Sequence, residues 1–254
     1  MSDMKKYGWI KDEFYYRDHL YVASYAFVEN KGFAVRKIDL RDECPKVYDQ
    51  GNLGSCTANA IAAAIEFEKL KLNKDMMPSR LFIYYNERSM EGTVSHDWGA
   101  QIRDGIKSTV KLGVCSEDKW PYNISKFIDK PTDECYTEAL NNQVLSYSRL
   151  DNNNINHLIS CLNEGYPFVF GFNVYESFES NEVAKTGIVR MPKDFERSVG
   201  GHAVMGVGYD LDNKVFIVRN SWGDGWGQKG YFTMPFEYVT GKLSNDFWTI
   251  RLTE

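Results

Sequence analysis

Helical and strand-like periodicities fall in different halves of this 254-residue chain, and that segregation constrains the fold more than any single motif. Ala60, Ile61, Ala64, Ile65 and Glu68 recur at i, i+3, i+4 spacing through an alanine-rich run of high helix propensity. A helix is therefore expected from Cys56, with Ser55 as its cap. A second is expected near Ser79 through Leu81, Phe82, Tyr84 and Tyr85, and a third over about 100–112, stopped by Gly113. After Trp120-Pro121-Tyr122 and a polar connection, a short helix with Ile155, Leu158, Ile159 and Leu162 ends at Gly165. Strand-like runs follow at Phe168–Val174, His202–Tyr209, Val215–Arg219, Tyr231–Met234 and Phe247–Leu252, separated by turn residues such as Asp210 to Asn213. The expected architecture is α+β, with a mainly helical lobe over about 37–145 and a mainly β lobe over about 146–254. Residues 1–36 carry Trp9, Phe14, Tyr15, Tyr16, Tyr21, Tyr25 and Phe27 without a sustained period, and read as an extended N-terminal arm that packs on the rest.

Composition removes several function classes. A formal net charge of -5 leaves no basic face for nucleic acid. No apolar stretch approaches the roughly 18–20 residues that span a bilayer, and the first residues lack the apolar core of a signal peptide. A soluble protein that is not classically secreted is expected, cytoplasmic or of unassigned location, with no membrane partner. Cys44, Cys56, Cys115, Cys135 and Cys161 form no C-x-x-C pair and no zinc-ligand spacing, so neither a metal nor another cofactor is expected, and the cysteines read as reduced thiols.

Three separated blocks carry chemistry. Asp49-Gln50-Gly51-Asn52-Leu53-Gly54-Ser55-Cys56 places a cysteine at a helix start, where unsatisfied N–H groups and the helix dipole favour a thiolate. Gly200-Gly201-His202 supplies an imidazole whose cationic form would pair with that sulfur. Asn220, eighteen residues on, can orient the ring by accepting a hydrogen bond from the nitrogen not facing sulfur, with Trp222 shielding that bond from water. A developing oxyanion needs donors, each contributing about 3–4 kcal/mol in favourable cases. The Cys56 backbone N–H and the Gln50 side-chain amide are the candidates, and Gly51 and Gly54 allow the loop between them to fold back.

The order Gln, Cys, His, Asn, together with Asn220-Ser221-Trp222-Gly223-Asp224-Gly225-Trp226-Gly227-Gln228-Lys229-Gly230-Tyr231, resembles the papain-like cysteine proteases, the group that includes the cathepsins, over about residues 37–254. The resemblance implies a two-lobed fold with the active-site cleft between a helical left lobe and a β-rich right lobe, and peptide or protein substrates cleaved through a Cys-His ion pair and a thioester. It implies Cys56 as nucleophile, His202 as base and acid, Asn220 as orienter and Gln50 as oxyanion donor. It also implies Gly99, Ala100, Gly201 and Trp222 along the substrate cleft, Ala100 standing thirteen residues before Gly113. Leu53 and Thr57 replace a cysteine and a tryptophan usual in the family, which points to a disulfide-poor branch similar to bacterial and viral members. Another Cys-His acyl transfer, or a non-catalytic binding protein on the same fold, would use the same residues. For the arm, the functional expectation is that it crosses the cleft and restrains activity; the alternative is a purely structural strap.

Overall fold

The computed structural model describes residues 6–23 and 35–252. In chain order, β1 is Trp9–Ile10, β2 Lys37–Asp39, α1 Cys56–Lys71, α2 Arg80–Glu91, β3 Ala100–Gln101, α3 Ile102–Leu112, α4 Asp133–Ala139, β4 Ser146–Arg149, α5 Ile155–Asn163, β5 Phe168–Tyr175, α6 Asn181–Thr186, β6 Ser198–Asp210, β7 Val215–Arg219, β8 Tyr231–Pro235, α7 Phe236–Thr240 and β9 Ser244–Arg251. One antiparallel sheet runs β4-β9-β5-β6-β7-β8, with β2 paired to the end of β6, while β1 and β3 form a separate two-stranded parallel ladder.

The alanine run explains why α1 occupies the centre. Every residue from Cys56 to Lys69 is buried, so the helix needs small side chains on all sides to be approached on all sides. It packs on β6, β5 and β9 as well as on α2 and α3. Ser55 does not cap it: its hydroxyl instead bonds the Tyr122 hydroxyl at 2.5 Å and the Asn59 side chain at 3.0 Å. α2 has the expected cap, Ser79 Oγ accepting from the Phe82 N–H at 3.1 Å. α3 ends at Gly113 with φ 74°, a left-handed value that suits glycine. In the sheet, the apolar run from Phe168 to Phe172 is buried on both faces, and Phe170 stacks on Phe247 with ring centroids 4.8 Å apart. α4, α6 and α7 are short helices not anticipated from periodicity, because five to seven residues cannot establish a 3.6-residue repeat. β4, Ser-Tyr-Ser-Arg at the sheet edge, lacks apolar alternation for a related reason: neither of its faces is fully covered.

The arm has two parts. From Asp12 to Tyr21 it is fastened to β4 and β9 and to the start of α3. The Asp12 carboxylate accepts from Trp248 Nε1 at 2.9 Å, and Asp18 pairs with Arg149 at 3.0 Å and Arg103 at 3.4 Å. Leu20 forms a bridge beside Arg149, whose N–H donates to the His19 carbonyl at 2.7 Å and whose carbonyl accepts from Tyr21 N–H at 2.8 Å. Residues 6–10 run instead toward the junction of α1 and β6. Of the aromatics expected to seek cover, Trp9 and Tyr21 are buried, whereas Phe14 and Tyr16 are 91% and 74% exposed. Tyr25 and Phe27 lie outside the described residues. Among the described residues, no helix is long and apolar enough to cross a membrane.

Burial raises the carboxyls of Asp12 and Glu91 to about 7, and those of Glu66, Glu68, Glu87, Asp104 and Asp246 also move up, burial being the main cause in each. A raised acid holds its proton more firmly in the native chain than in the unfolded one, so its contribution is present at low pH and is lost as pH rises through the folded value. The melting temperature is therefore expected to fall between pH 5.5 and pH 8. A calorimetric series showing a maximum at pH 8 would contradict this.

Candidate active site

Cys56 opens α1 and His202 lies within β6, and the two elements meet so closely that the Ala203 N–H donates to Cys56 Sγ at 3.4 Å. The His202 Nε2 pairs with Asn220 Oδ1 at 2.8 Å, and its Nδ1 has no hydrogen-bond partner among the described residues, so this is the nitrogen left for the sulfur. Asn220 Oδ1 also accepts the Ser221 N–H at 2.8 Å, which fixes the amide and so the ring. Trp222 stacks on the imidazole, centroids 5.0 Å apart and planes 29° from parallel, so the indole covers the orienting bond. Four candidate residues from three distant stretches thus meet at one place.

Gln50 completes the group. Its side-chain carbonyl accepts from Ser221 Oγ at 2.6 Å, turning the amide nitrogen outward toward Leu53 O at 2.9 Å and Lys6 O at 3.1 Å. The loop carrying it is tied down by Asp97, whose carboxylate accepts from Gly54 N–H at 3.0 Å, from the Tyr84 hydroxyl and from Lys6 Nζ at 2.7 Å. Asp97 is in turn presented by the 93–98 loop, which Arg88 shapes by donating to the Val94 and His96 carbonyls at 2.6 and 3.1 Å. Sequence reasoning gives Ser221 no role of its own and gives His96-Asp97, beside Trp98, no more than a place along the cleft. Ser221 sits inside the Asn220–Tyr231 block, while Asp97 had only its place beside Trp98-Gly99 as a signal.

The remaining candidates line the same cleft, and the arm runs through it. Ala100 N–H donates to the Gly8 carbonyl at 2.8 Å, and Trp9 and Ile10 pair with Ala100 and Gln101. The fit is tightest at Gly8: a Cβ there would lie 1.7 Å from the Gly54 carbonyl oxygen, and one on Gly99 would lie 2.0 Å from the Gly8 carbonyl oxygen. Tyr7 packs edge-on against His202 at 5.8 Å and near Trp222 at 6.1 Å, with its hydroxyl donating to Glu179 at 2.7 Å. Gly201 abuts Trp9, where a Cβ would fall 2.5 Å from the Trp9 carbonyl oxygen.

This cover changes the electrostatics. Cys56 and His202 are both fully buried. Burial pushes the Cys56 thiol up to about 12, despite backbone N–H bonds from Ala203, Gly8 and Thr57, and pushes His202 down to about 4, only partly offset by Asn220. With both groups buried, each shift disfavours its charged form, so the ion pair expected from sequence is not favoured in this covered arrangement.

Comparison with known proteins places this geometry in context. Residues 34–243 match the family described as papain family cysteine protease. The chain is 49% identical over 229 residues to a peptidase C1-like protein of Acanthamoeba polyphaga mimivirus, covering 86% of this chain and 74% of that one. It is 28% identical over 208 residues to cysteine proteinase 1 of Entamoeba histolytica, covering 79% and 62% respectively. Among solved structures, xylellain, a cysteine protease from Xylella fastidiosa, superposes with a TM-score of 0.91 at 43% identity over 98% of this chain and 97% of its own.

Two shifts in the same direction away from the ion pair predict a slow thiol. Alkylation of Cys56 by iodoacetamide at pH 6–7 should be far slower in the full chain than in one whose arm is dislodged, because both raised thiol and lowered imidazole deplete the thiolate. Equal rates, read by peptide mass spectrometry at Cys56, would show that the arm does not control the pair.

Proposed function

The chain belongs to the papain family of cysteine proteases and is a cysteine-type peptidase, and from that premise we propose that Cys56, His202, Asn220 and Gln50 carry the reaction and that residues 6–10 hold it closed. With the segment lifted, water reaches the pair and the proton passes from Cys56 Sγ to His202 Nδ1. The thiolate attacks a substrate carbonyl carbon, and its oxygen accepts from Gln50 Nε2 and the Cys56 backbone N–H. His202 then gives its proton to the leaving amine, and a thioester remains. A water, deprotonated by the same ring, hydrolyses it. Asn220 holds the ring by Nε2 throughout, so Nδ1 stays on the sulfur side. The substrate backbone pairs along Ala100, in the place now taken by residues 8–10, with Gly99, Gly201 and Trp222 flanking it.

One observation carries the closed reading. The Lys6 carbonyl accepts from the Gln50 amide at 3.1 Å and the Gly8 carbonyl from the Ala100 N–H at 2.8 Å, so the segment occupies both the expected oxyanion donor and the expected substrate edge. Burial of the Trp9 ring, and in part of the Tyr7 ring, offsets some of the cost of ordering this tethered segment. The five free thiols support action in a reducing compartment.

Gly8→Ala tests this in the intact chain, since the added methyl has no room beside Gly54. kcat/KM for a small peptide is expected to rise by at least about tenfold, equivalent to ~1.4 kcal/mol of restraint. Unchanged kinetics with a lowered melting temperature would identify residues 6–10 as structural only. In the Gly8→Ala background, Cys56→Ala should abolish hydrolysis and His202→Ala should come close to it, whereas Asn220→Ala should leave measurable turnover, because it orients the base without moving a proton.

A further inference from the structure

Two cysteines outside the active site lie against each other. Cys115 follows the Gly113 stop of α3, and Cys135 lies in the first turn of α4; both are buried, at 0% and 1% exposure. The Cys115 thiol is in hydrogen-bonding contact with Cys135. The backbones around them are drawn together independently of the sulfurs. A Cβ on Gly113 would fall 1.7 Å from the Ala139 carbonyl oxygen, and the Ser116 N–H donates to Glu138 Oε1 at 2.8 Å. The remaining cysteines have other surroundings: Cys44 lies beside Tyr231, Cys161 beside the Thr249 hydroxyl at 3.4 Å, and Cys56 in the cleft.

The chain between Cys115 and Cys135 supports the loop that carries Gln50. The Cys115 carbonyl accepts from the Ser79 N–H at 2.8 Å, which ties the segment to the start of α2. Glu117 pairs at 2.6 Å with Arg80, whose guanidinium reaches the Asp49 carbonyl at 3.2 Å. The Tyr122 hydroxyl donates to the Gln50 carbonyl at 2.9 Å and meets Ser55 Oγ at 2.5 Å. Apart from a single 3₁₀ turn at Ile124–Lys126 and its pairing beside α2, the segment is irregular, so it takes its shape from how its ends are held.

We propose that Cys115 and Cys135 form a latent disulfide site, and that the bond, made under oxidising conditions, staples the segment that props the Gln50 loop. The oxidant is a small-molecule disulfide. Either cysteine, as thiolate, attacks one sulfur of that disulfide and expels a thiolate; the other cysteine attacks the resulting mixed disulfide and expels the second. The two thiol protons end on the two leaving thiolates, and two electrons pass from the cysteine pair to the reagent. Burial, and after it Cys135, raise the Cys115 thiol, so attack from the closed structure is slow and exchange runs through local opening of the segment. In reducing surroundings the pair stays as two thiols. None of this depends on residues 6–10.

The test treats the full chain with oxidised glutathione, blocks the remaining thiols with iodoacetamide in denaturant, and maps the peptides by mass spectrometry. A linked Cys115–Cys135 peptide is expected, with Cys44 and Cys161 alkylated. The oxidised protein should melt about 5–10 °C higher, the scale for closing a loop of about 20 residues in a chain of this size, and dithiothreitol should reverse the gain. Amide exchange over residues 116–122 and 49–55 should slow in the same sample. Cys115→Ala should abolish the linked peptide, the melting gain and the slowing together, while leaving kcat/KM in reductant unchanged; Cys135→Ala serves the same purpose should the first variant not fold. Cys115 and Cys135 both alkylated after oxidation, or either one linked to a different cysteine, overturns the site. A linked peptide with an unchanged or lowered melting temperature, or with unaltered exchange over 49–55, overturns the staple.

Discussion

The approach of α1 to β6 is the contact on which the rest of the cleft depends. Cys56 and His202 sit on elements far apart in sequence, and each is useful only if the helix start and the mid-strand lie within one side chain of each other. Small residues on both sides make that possible: Ala60 and Ala63 on the helix and Ala203 on the strand line one small internal space together with Tyr48, Met205 and Asn220. The Ala203 N–H bond to Cys56 Sγ records how close the two backbones come. A larger side chain in this layer would separate nucleophile from base before it disturbed any other part of the protein.

Two arginines then set the loop that brings Gln50 to the same place. Arg80 donates to the Asp49 carbonyl at 3.2 Å, and Arg219 to the Pro45 carbonyl at 2.6 Å and to that of Lys46. Their guanidiniums lie 4.9 and 5.0 Å from the centre of the Tyr48 ring. Arg80 also pairs with Glu117 at 2.6 Å, so this cationic cluster carries its own counter-charge. A loop rich in glycine and asparagine, which by composition has little shape of its own, thus acquires one from carbonyl-directed hydrogen bonds.

How much of this was legible in the sequence follows from the range of each interaction. The alanine run, the Gly113 stop and the strand runs are local patterns, and each appears within a few residues of its expected place. That Cys56, His202, Asn220 and Gln50 gather at one place was legible because each stands in a block whose neighbours serve the same geometry. Ser55 misled, because a serine before a helix normally caps it, and here Tyr122, sixty-seven positions away, captures its hydroxyl. The role of Asp97 was not legible: it matters through Gly54 and Lys6, and no local pattern encodes that. The arm was half legible: its aromatics signalled a need for cover, but not that Trp9 would be buried while Phe14 and Tyr16 stay in water.

Residues 6–10 lie along the strand edge at Ala100 that the proposed mechanism gives to substrate, so segment and substrate compete for one place. The restraint is unimolecular, so diluting the protein does not relieve it, whereas raising the substrate concentration does. A tethered segment of this kind acts as a competitor of fixed effective concentration, raising the apparent KM while leaving kcat at saturation unchanged.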